Sequence, residues 1–225
     1  AGGESLTDIN FSIKPGETVG IIGGTGSGKS SLVNLIPHFY DCTRGGVYVD
    51  GKNVKSYSTA ELREKIGIVL QKAVLFKGTI RDNLLWGNKN ATEQQLVQAL
   101  EIAQAADVVA SKKNGLDEVI EQGGKNLSGG QKQRLTIARA LVKQPEILIL
   151  DDSASALDYA TDARLRKAVK GLKNTTVIIV SQRTSSIMSA DKIIVMDDGK
   201  IVGIGTHSQL LDLSLIHISE PTRQA

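Results

Sequence analysis

The stretch Gly23-Gly24-Thr25-Gly26-Ser27-Gly28-Lys29-Ser30 decides the fold, because it fits the pattern G-x-x-x-x-G-K-[S/T]. An apolar segment, residues 18–22, precedes it and is typical of a buried strand. Residues 31–36, which follow it, favour a helix. A strand, this loop and a helix in that order form the structural context in which the pattern binds phosphate. The sequence therefore predicts a site for a nucleoside triphosphate.

The chemistry of this loop, which we call the P-loop, explains its composition. Glycines let the backbone turn its N–H groups inward, where side chains would block a polyphosphate. The start of the following helix adds partial positive charge. We predict that Lys29 reaches the β- and γ-phosphates, that the Ser30 hydroxyl ligates Mg²⁺, and that Ser31 adjoins the nucleotide. A plain glycine-rich turn is the alternative, which the Lys-Ser pair disfavours.

Composition and charge exclude several classes of protein. The 225 residues are enough to bury a substantial core. Net charge is only +3, the basic residues are dispersed and aromatic residues make up 4%, so we predict no nucleic-acid partner. Cys42 is the single cysteine, which excludes an internal disulfide and fits a reducing compartment. No apolar run approaches the roughly 18 residues that span a bilayer.

Apolar segments alternate with helical patterns along the chain, which predicts an α/β fold with a parallel sheet flanked by helices. Buried strands are predicted at residues 18–22, 66–70, 147–150 and 177–180. Helices are predicted at residues 31–36, 59–65 and 164–172, and from residue 128 onward. Residues 6–13, a hairpin over residues 47–54 and a closing hairpin over residues 193–202 predict an antiparallel edge, so the sheet is mixed.

A mostly α-helical insert is predicted between the second and third buried strands, because residues 79–110 carry leucines at helical spacing. We divide a domain of residues 1–212 into a core, residues 1–75 and 142–212, and a helical subdomain, residues 76–141. Residues 213–225 resemble the translation of a sequencing adapter. We interpret them as a non-native tail and leave them out of the fold prediction; a genuine C-terminal helix is the alternative.

Polar residues stand where the buried strands end. Gln71 follows the second strand, Asp151 and Asp152 end the third, and Gln182 follows the fourth. Ligands of parallel α/β sheets bind at the carboxyl ends of the strands, so we expect one site there together with the P-loop. Asp151 is expected to hold Mg²⁺, directly or through water, against the Ser30 hydroxyl.

The most discriminating stretch is Leu127-Ser128-Gly129-Gly130-Gln131, followed by Lys132-Gln133-Arg134. A serine at a helix start beside two glycines exposes backbone N–H groups and predicts a second anion site. A serine-capped helix after a glycine turn is the alternative. Together with the P-loop and Asp151, this stretch resembles the LSGGQ signature of ATP-binding-cassette (ABC) ATPases. The resemblance covers nearly all of residues 4–212.

The resemblance implies ATP and Mg²⁺ as cofactors and a P-loop NTPase fold. It implies that Gln71 is the Q-loop glutamine, a ligand of Mg²⁺, and that residues 155–158 are the D-loop, with Asp158 near nucleotide. In this family two domains enclose two ATP molecules, each between the P-loop of one domain and the signature of the other. Residues 127–131 would then serve the site of a second ABC domain. An aromatic residue that stacks on adenine is expected upstream of residue 1.

Two further segments resemble the exporter branch of the family. Residues 76–83 resemble the exporter form of the helical subdomain, and residues 121–126 resemble the loop that senses the transmembrane part. The resemblance thus implies ATP-driven dimerisation that powers export, a transmembrane domain of the same transporter as partner, and a place at the cytoplasmic face of the cell membrane. An importer ATPase or a non-transport ABC ATPase is the alternative. DNA-repair members would need a long coiled coil in the insert, and ribosome-associated members would need two cassettes.

Two catalytic positions beside Gln71 depart from the family pattern. Hydrolysing members carry Glu as the general base where this chain has Asp152, and a switch His where it has Gln182. Asp is one methylene shorter, and a misplacement of ~1 Å can cost on the order of 10²-fold in rate. Gln182 can hydrogen-bond the γ-phosphate but cannot relay a proton. We predict a P-loop site that binds ATP and hydrolyses it slowly, paired with a different chain. Asp152 as a slower base in a homodimer is the alternative.

Overall fold

The structure of the protein is a computed structural model that describes residues 5–213. Within that range the strands are β1 (Thr18–Gly23), β2 (Tyr48–Val49), β3 (Lys52–Asn53), β4 (Ile66–Val69), β5 (Gly78–Thr79), β6 (Val119–Ile120), β7 (Ile147–Asp151), β8 (Thr176–Ser181), β9 (Lys192–Asp197) and β10 (Lys200–Gly205). The helices are α1 (Lys29–Leu35), α2 (Thr59–Lys65), α3 (Ile80–Leu85), α4 (Glu93–Ile102), α5 (Ala106–Ala110), α6 (Gly129–Val142), α7 (Tyr159–Lys170) and α8 (His207–Asp212). No helix among these residues is both long and apolar enough to cross a membrane.

The central sheet has the strand order β10-β9-β1-β8-β7-β4. Its five neighbouring strands from β9 to β4 pair in parallel, and β10 pairs antiparallel to β9. The β9–β10 turn is Asp198-Gly199, with φ values of 41° and 72°. The predicted mixed α/β fold, with a parallel core and an antiparallel edge, is confirmed.

The register of the sheet aligns the carboxyl ends of its parallel strands. Ile22 of β1 pairs with Ser181 of β8, and Val180 pairs with Asp151 of β7. Strand β4 pairs with β7 from Ile66 to Val69. The segments that carry the predicted site residues therefore leave the sheet along one edge.

Each face of the sheet has its own apolar core. Along β7, Leu148 and Leu150 pack in the core shared with α3, α4, α6 and α7, whereas Ile149 packs in the core shared with α1 and α2. This alternation follows from strand geometry, in which successive side chains point to opposite faces. Because both faces are covered, β7 is continuously apolar until Asp151.

The predicted helical insert forms α3, α4 and α5, which pack against α6. Thr79, Thr92 and Ser128 each begin a helix with a capping box, in which the serine or threonine and the residue three positions later exchange hydrogen bonds. The short antiparallel pair β5–β6 was not predicted, because two residues a strand show no periodicity. The subdomain boundaries at residues 76 and 141 stay a prediction.

The strand predicted over residues 6–13 was wrong. Its alternating apolar residues do pack against the core of α1 and α2, as in the case of Leu6 and Phe11. However, no strand pairs with it in the described range, and Asp8 interrupts the extended backbone with a φ of 51°. Alternation thus identified the buried side chains, whereas a strand also needs a neighbour that supplies hydrogen bonds.

Two other boundaries differ from expectation. Helix α7 begins five residues earlier than predicted, because the Asp158 carboxylate caps it by accepting from the Thr161 N–H at 2.9 Å. The β2–β3 hairpin forms as predicted around Asp50-Gly51, but it is a separate two-stranded sheet. Of the tail predicted over residues 213–225, residues 214–225 lie outside the described range.

Candidate functional site

The P-loop wraps around the Lys29 ammonium group. Lys29 Nζ donates to the carbonyl oxygens of Gly23 at 2.8 Å and Gly24 at 2.6 Å, and to Ser27 Oγ at 3.3 Å. The residue is 8% exposed, and this burial lowers the pKa of Lys29, while the nearby aspartates oppose the shift. The lysine is thus fixed inside the loop with its charge beside the space where phosphate would lie.

Two glycines of the P-loop face open space, whereas a third is tightly packed. A Cβ placed on Gly24 or Gly26 would meet no heavy atom within 4 Å. A Cβ on Gly23 would lie 2.2 Å from the carbonyl oxygen of Met196 and 2.6 Å from Ser27 Oγ. Gly26 has a φ of 83°, in the left-handed region that favours glycine. The loop is therefore a cradle with free space on the side where a polyphosphate can bind, and its residues fit that group.

The β9–β10 turn supports the P-loop from behind, a contact that the sequence analysis missed. The Gly199 N–H donates to the Ser27 carbonyl oxygen at 3.2 Å, and the Thr7 N–H donates to the Gly199 carbonyl oxygen at 2.8 Å. A Cβ on Gly28 would lie 2.8 Å from a methyl carbon of Leu6. Each contact joins segments far apart in the chain, so no local pattern could have indicated it.

Ser30 and Asp151 form a pair of oxygen donors. Ser30 Oγ donates to Asp151 Oδ1 at 3.2 Å, and Asp151 is 5% exposed at the end of β7. Burial raises the pKa of Asp151 and the charge of Asp152 adds to the rise, while the Ser30 bond and Lys29 oppose it. A hydroxyl and a carboxylate fit Mg²⁺, which usually takes one or two protein ligands and completes its shell with phosphate and water oxygens.

Asp152 has an unusual backbone conformation, with a φ of 46°. Its N–H donates to the Val180 carbonyl oxygen at 2.9 Å, and its carbonyl oxygen accepts from Ser155 Oγ at 2.9 Å. A left-handed conformation costs a non-glycine residue roughly 1–2 kcal/mol, so it persists where the surroundings hold it. The backbone from which the Asp152 carboxylate extends is therefore held by Val180 of β8 and by Ser155.

The Asp152 side chain contacts Gln71. We expected this contact because both residues follow the carboxyl ends of strands in the same sheet. Gln71 Nε2 donates to Asp152 Oδ2 at 3.0 Å. Burial raises the pKa of Asp152, while Arg183, Lys29 and the Gln71 bond oppose the rise. The two residues lie beside the Ser30–Asp151 pair, because Asp151 precedes Asp152 in the chain.

Gln182 follows β8 directly and is exposed. Because Ser181 pairs with Ile22, Gln182 lies level with the start of the P-loop. The Arg183 N–H donates to Ser181 Oγ at 2.9 Å, which turns the chain away from the sheet after Gln182. Four predicted parts of the site, the P-loop, Gln71, the Asp151-Asp152 pair and Gln182, thus lie along the same edge of the sheet.

The signature residues form a second, outward-facing group. Ser128 caps α6: its Oγ accepts from the Gln131 N–H at 3.2 Å, and its own N–H donates to Gln131 Oε1 at 3.0 Å. Leu127 is buried, whereas Ser128 and Gly129 are exposed, and a Cβ on Gly129 would meet nothing within 4 Å. Within residues 5–213, no hydrogen bond joins residues 127–131 to the P-loop.

The D-loop contacts the start of the signature helix. A Cβ on Gly130 would lie 3.2 Å from the Ala156 carbonyl oxygen. Asp158, predicted near nucleotide, is exposed at the start of α7, and the hydrogen bonds from Thr161 lower its pKa. Thr25 and Ser31 are exposed beside the open side of the P-loop.

Comparisons with known proteins bear on this arrangement. A family model described as ABC transporter matches residues 6–155, which include the P-loop, the signature and Asp151. The chain belongs to the ABC transporter family. The predicted family is thereby confirmed.

Several relatives resemble this ABC domain along almost its whole length. The uncharacterized ABC transporter ATP-binding protein YfiB of Bacillus subtilis (strain 168) is 46% identical over 214 residues, 95% of this chain and 37% of that protein. A putative multidrug export ATP-binding/permease protein of Staphylococcus aureus (strain NCTC 8325 / PS 47) is 46% identical over 207 residues, 92% of this chain and 36% of that protein. A solved bacterial Atm1-family ABC exporter with ATP bound superimposes with a TM-score of 0.90 at 36% identity, over 94% of this chain and 37% of that one. The chain thus spans a little over a third of the length of these relatives.

Proposed function

We propose that this ABC domain binds ATP with Mg²⁺ at its own P-loop and supplies ATP-driven closure to an exporter. The observation that carries the proposal is the joined cluster at the sheet edge, in which Lys29 fills the loop, Ser30 bonds Asp151 and Gln71 bonds Asp152. Each member is of the residue type that its role needs.

The roles follow from the contacts. Lys29, freed from the P-loop carbonyls, would neutralise the β- and γ-phosphates. Ser30 and Asp151 would hold Mg²⁺, which neutralises phosphate charge and orients the terminal group when bound. Gln71 bonds Asp152 through Nε2, so its Oε1, the atom that can ligate a metal, stays available for the ion. Gln71 could therefore join the shell of the ion while it remains bonded to Asp152.

Hydrolysis at this site would be slow. The Asp152 backbone is held by Val180 and Ser155, and its carboxylate is engaged by Gln71, so the side chain cannot extend to replace a missing methylene. Loss of a well-placed general base typically costs about 10²–10⁴-fold in rate. Gln182 offers an amide in place of a proton-relaying imidazole. These two positions support a site that retains ATP without rapid turnover.

A second ABC domain would use the signature of this chain. Ser128 and Gly129 are exposed, a Cβ on Gly129 would meet nothing within 4 Å, and neither residue shares a hydrogen bond with the P-loop within residues 5–213. Helix α6 presents its first N–H groups there, a favourable position for a phosphate. Since the signature is intact and Asp152 and Gln182 are altered, the partner would be a different chain that carries Glu and His at those positions.

An aromatic surface supports contact with a transmembrane domain. The rings of Phe76 and Trp86 stack at 4.7 Å and are 43% and 67% exposed, and Arg139 lies 5.8 Å from the Phe76 ring. They line a groove of about 200 Å³ beside β4. Aromatic and arginine side chains dominate protein interfaces. This docking would place the domain at the cytoplasmic face of the membrane.

Nucleotide binding tests the proposal. Titration of the purified chain with a fluorescent ATP analogue should give Mg²⁺-dependent binding, and Lys29→Ala should weaken it at least about tenfold, because a hydrogen-bonded charge is lost. Lys167→Ala, an exposed change on α7, is the control and should leave affinity unchanged. Equal affinity in the wild-type chain and Lys29→Ala would contradict a P-loop site.

A further inference from the structure

One face of α7 holds the segment that follows Gln182. The Asp162 carboxylate accepts from Ser186 Oγ at 3.3 Å, and Arg166 Nη1 donates to the Ser185 carbonyl oxygen. Asp162 and Arg166 also pair with each other, with Arg166 Nε 3.2 Å from Asp162 Oδ2. Because they are four residues apart, both side chains lie on the same helix face.

The contact between α7 and this segment continues along the helix, and an apolar side chain of the segment packs against the sheet. Lys170, four residues beyond Arg166, donates from Nζ to the Ser189 carbonyl oxygen at 2.7 Å. Ile187 is fully buried against β1. A Cβ placed on Gly20 of β1 would lie 2.6 Å from the Cβ of Ile187. The segment from residue 185 to residue 189 is therefore fixed to α7 by polar groups and to the sheet by Ile187.

The central pair is deeply buried. Asp162 is 2% exposed and Ser186 is 1% exposed. A buried carboxylate needs partners, and removal of one partner of a buried pair leaves an uncompensated charge. The buried Asp162–Ser186 hydrogen bond, with Arg166 paired to the same carboxylate, therefore imposes one arrangement on the turn, since displacement of Ser186 would leave the carboxylate without this partner.

This turn is directly connected to Gln182. The Ser186 N–H donates to the Arg183 carbonyl oxygen at 3.0 Å, and the Arg183 N–H donates to Ser181 Oγ at 2.9 Å. The six residues from Ser181 to Ser186 thus form a short loop tied at the sheet and at α7. Gln182 lies in this loop, beside the start of the P-loop.

We propose that Asp162 and Arg166 are positioning residues for Gln182, which they hold beside the P-loop through Ser185 and Ser186 so that its amide faces the γ-phosphate of ATP. The inference rests on the proposed ATP site. Helix α7 starts directly after the D-loop residue Asp158, on the side where the signature would meet a second domain. The proposal therefore links that side of the domain to Gln182.

The ratio of ADP to ATP dissociation constants tests the proposal, since only ATP offers a γ-phosphate to Gln182. Gln182→Ala should lower this ratio about tenfold, the loss of one hydrogen bond to a charged group. Ser186→Ala and Asp162→Asn should lower it about three- to tenfold without changing ADP affinity, by the same reasoning. Combining Ser186→Ala with Gln182→Ala should add nothing, because both act through one amide.

The controls separate positioning from stability. Lys167→Ala, an exposed change on the same helix, should keep the wild-type ratio. Ser186→Ala removes only a hydroxyl, so it serves if Asp162→Asn does not fold. An unchanged ratio with a lower Tm in Ser186→Ala, or additive effects in the double variant, would overturn the proposal. Failure of the wild-type chain to bind either nucleotide would instead refute the proposed ATP site itself.

Discussion

Gln71 Nε2 donates a hydrogen bond to Asp152 Oδ2 across 3.0 Å, so the predicted Mg²⁺ ligand and the predicted base position hold each other. The contact joins the end of β4 to the end of β7 and engages both side chains before nucleotide binds. The bond uses Gln71 Nε2 and leaves Oε1, the atom that can ligate a metal, available to the ion. Asp152 also places a negative charge near Lys29, where it would repel phosphate. Removal of Asp152 should therefore favour binding of the metal–nucleotide complex.

Asp152→Ala should bind Mg²⁺–ATP about three- to tenfold more tightly than the wild-type chain. The change removes a negative charge that acts on Lys29 and would repel phosphate, worth on the order of 1 kcal/mol. Isothermal titration at fixed Mg²⁺ measures it, with Asp212→Asn, an exposed change on α8, as control. Weaker binding by Asp152→Ala would show that the carboxylate helps to hold the ion.

Asp151→Asn should stabilise the nucleotide-free chain at neutral pH. Burial raises the pKa of Asp151 above its usual 3.8, so the folded state binds this proton more tightly than the unfolded state. Stability from this group is then present below pH 3.8 and is lost as pH rises through the raised pKa. Thermal unfolding at pH 7 should show a Tm higher by about 2–4 °C, the shift expected from ~1 kcal/mol in a domain of this size.

The pH dependence supplies the control for Asp151→Asn. The Tm difference between variant and wild type should shrink as pH falls toward the raised pKa of Asp151, because the wild-type carboxyl becomes protonated. Asp212→Asn should show no such trend. A lower Tm for Asp151→Asn at pH 7 would mean that the Ser30 bond to the charged carboxylate outweighs the cost of burial.

Gly87→Ala should destabilise the packing of α3 on α6. A Cβ on Gly87 would lie 2.1 Å from the Arg139 carbonyl oxygen, and the backbone of α6 cannot yield as a flexible side chain would. Overpacking of this kind costs about 1–3 kcal/mol, measured here as a lower midpoint in urea. Gly129→Ala, whose Cβ meets nothing within 4 Å, is the matched control. Equal midpoints for Gly87→Ala and the wild-type chain would contradict the close approach of the two helices.

Trp86→Ala should weaken docking to the transmembrane domain while leaving ATP affinity unchanged. An interface aromatic contributes about 2 kcal/mol when it is a hot spot, which corresponds to roughly 30-fold in affinity. Co-purification of the ABC domain with the transmembrane part of the transporter measures the loss. Val202→Ala, an exposed apolar change on β10, should have no effect. Full co-purification of Trp86→Ala would remove the aromatic surface from the proposed interface.

The sequence predicts those parts of the molecule that local patterns encode. The P-loop, the signature and the end of β7 are contiguous motifs, and α2 has the boundaries predicted for it, Thr59–Lys65, with a capping box at its start. The strand predicted over residues 6–13 was wrong, because alternation reports which side chains are buried and says nothing of a pairing neighbour.

The contacts that sequence reasoning missed join distant segments. Gly199 supports the P-loop by a hydrogen bond to Ser27, although the two residues are 172 positions apart in the chain. The Asp162–Ser186 bond depends on how α7 lies against the loop after β8. Neither residue type is unusual in its local sequence, so only the tertiary structure identifies these contacts.

The most direct test of the central claim is the ATP turnover of the purified chain beside that of the double variant Asp152→Glu, Gln182→His. Our account predicts slow turnover in the wild-type chain and a rate at least about 10²-fold higher in the double variant, since a longer base and an imidazole restore the missing chemistry. Asp152→Asn should change the wild-type rate little. Wild-type turnover in the ordinary enzyme range of about 1–10³ s⁻¹ that is lost in Asp152→Asn would contradict the account.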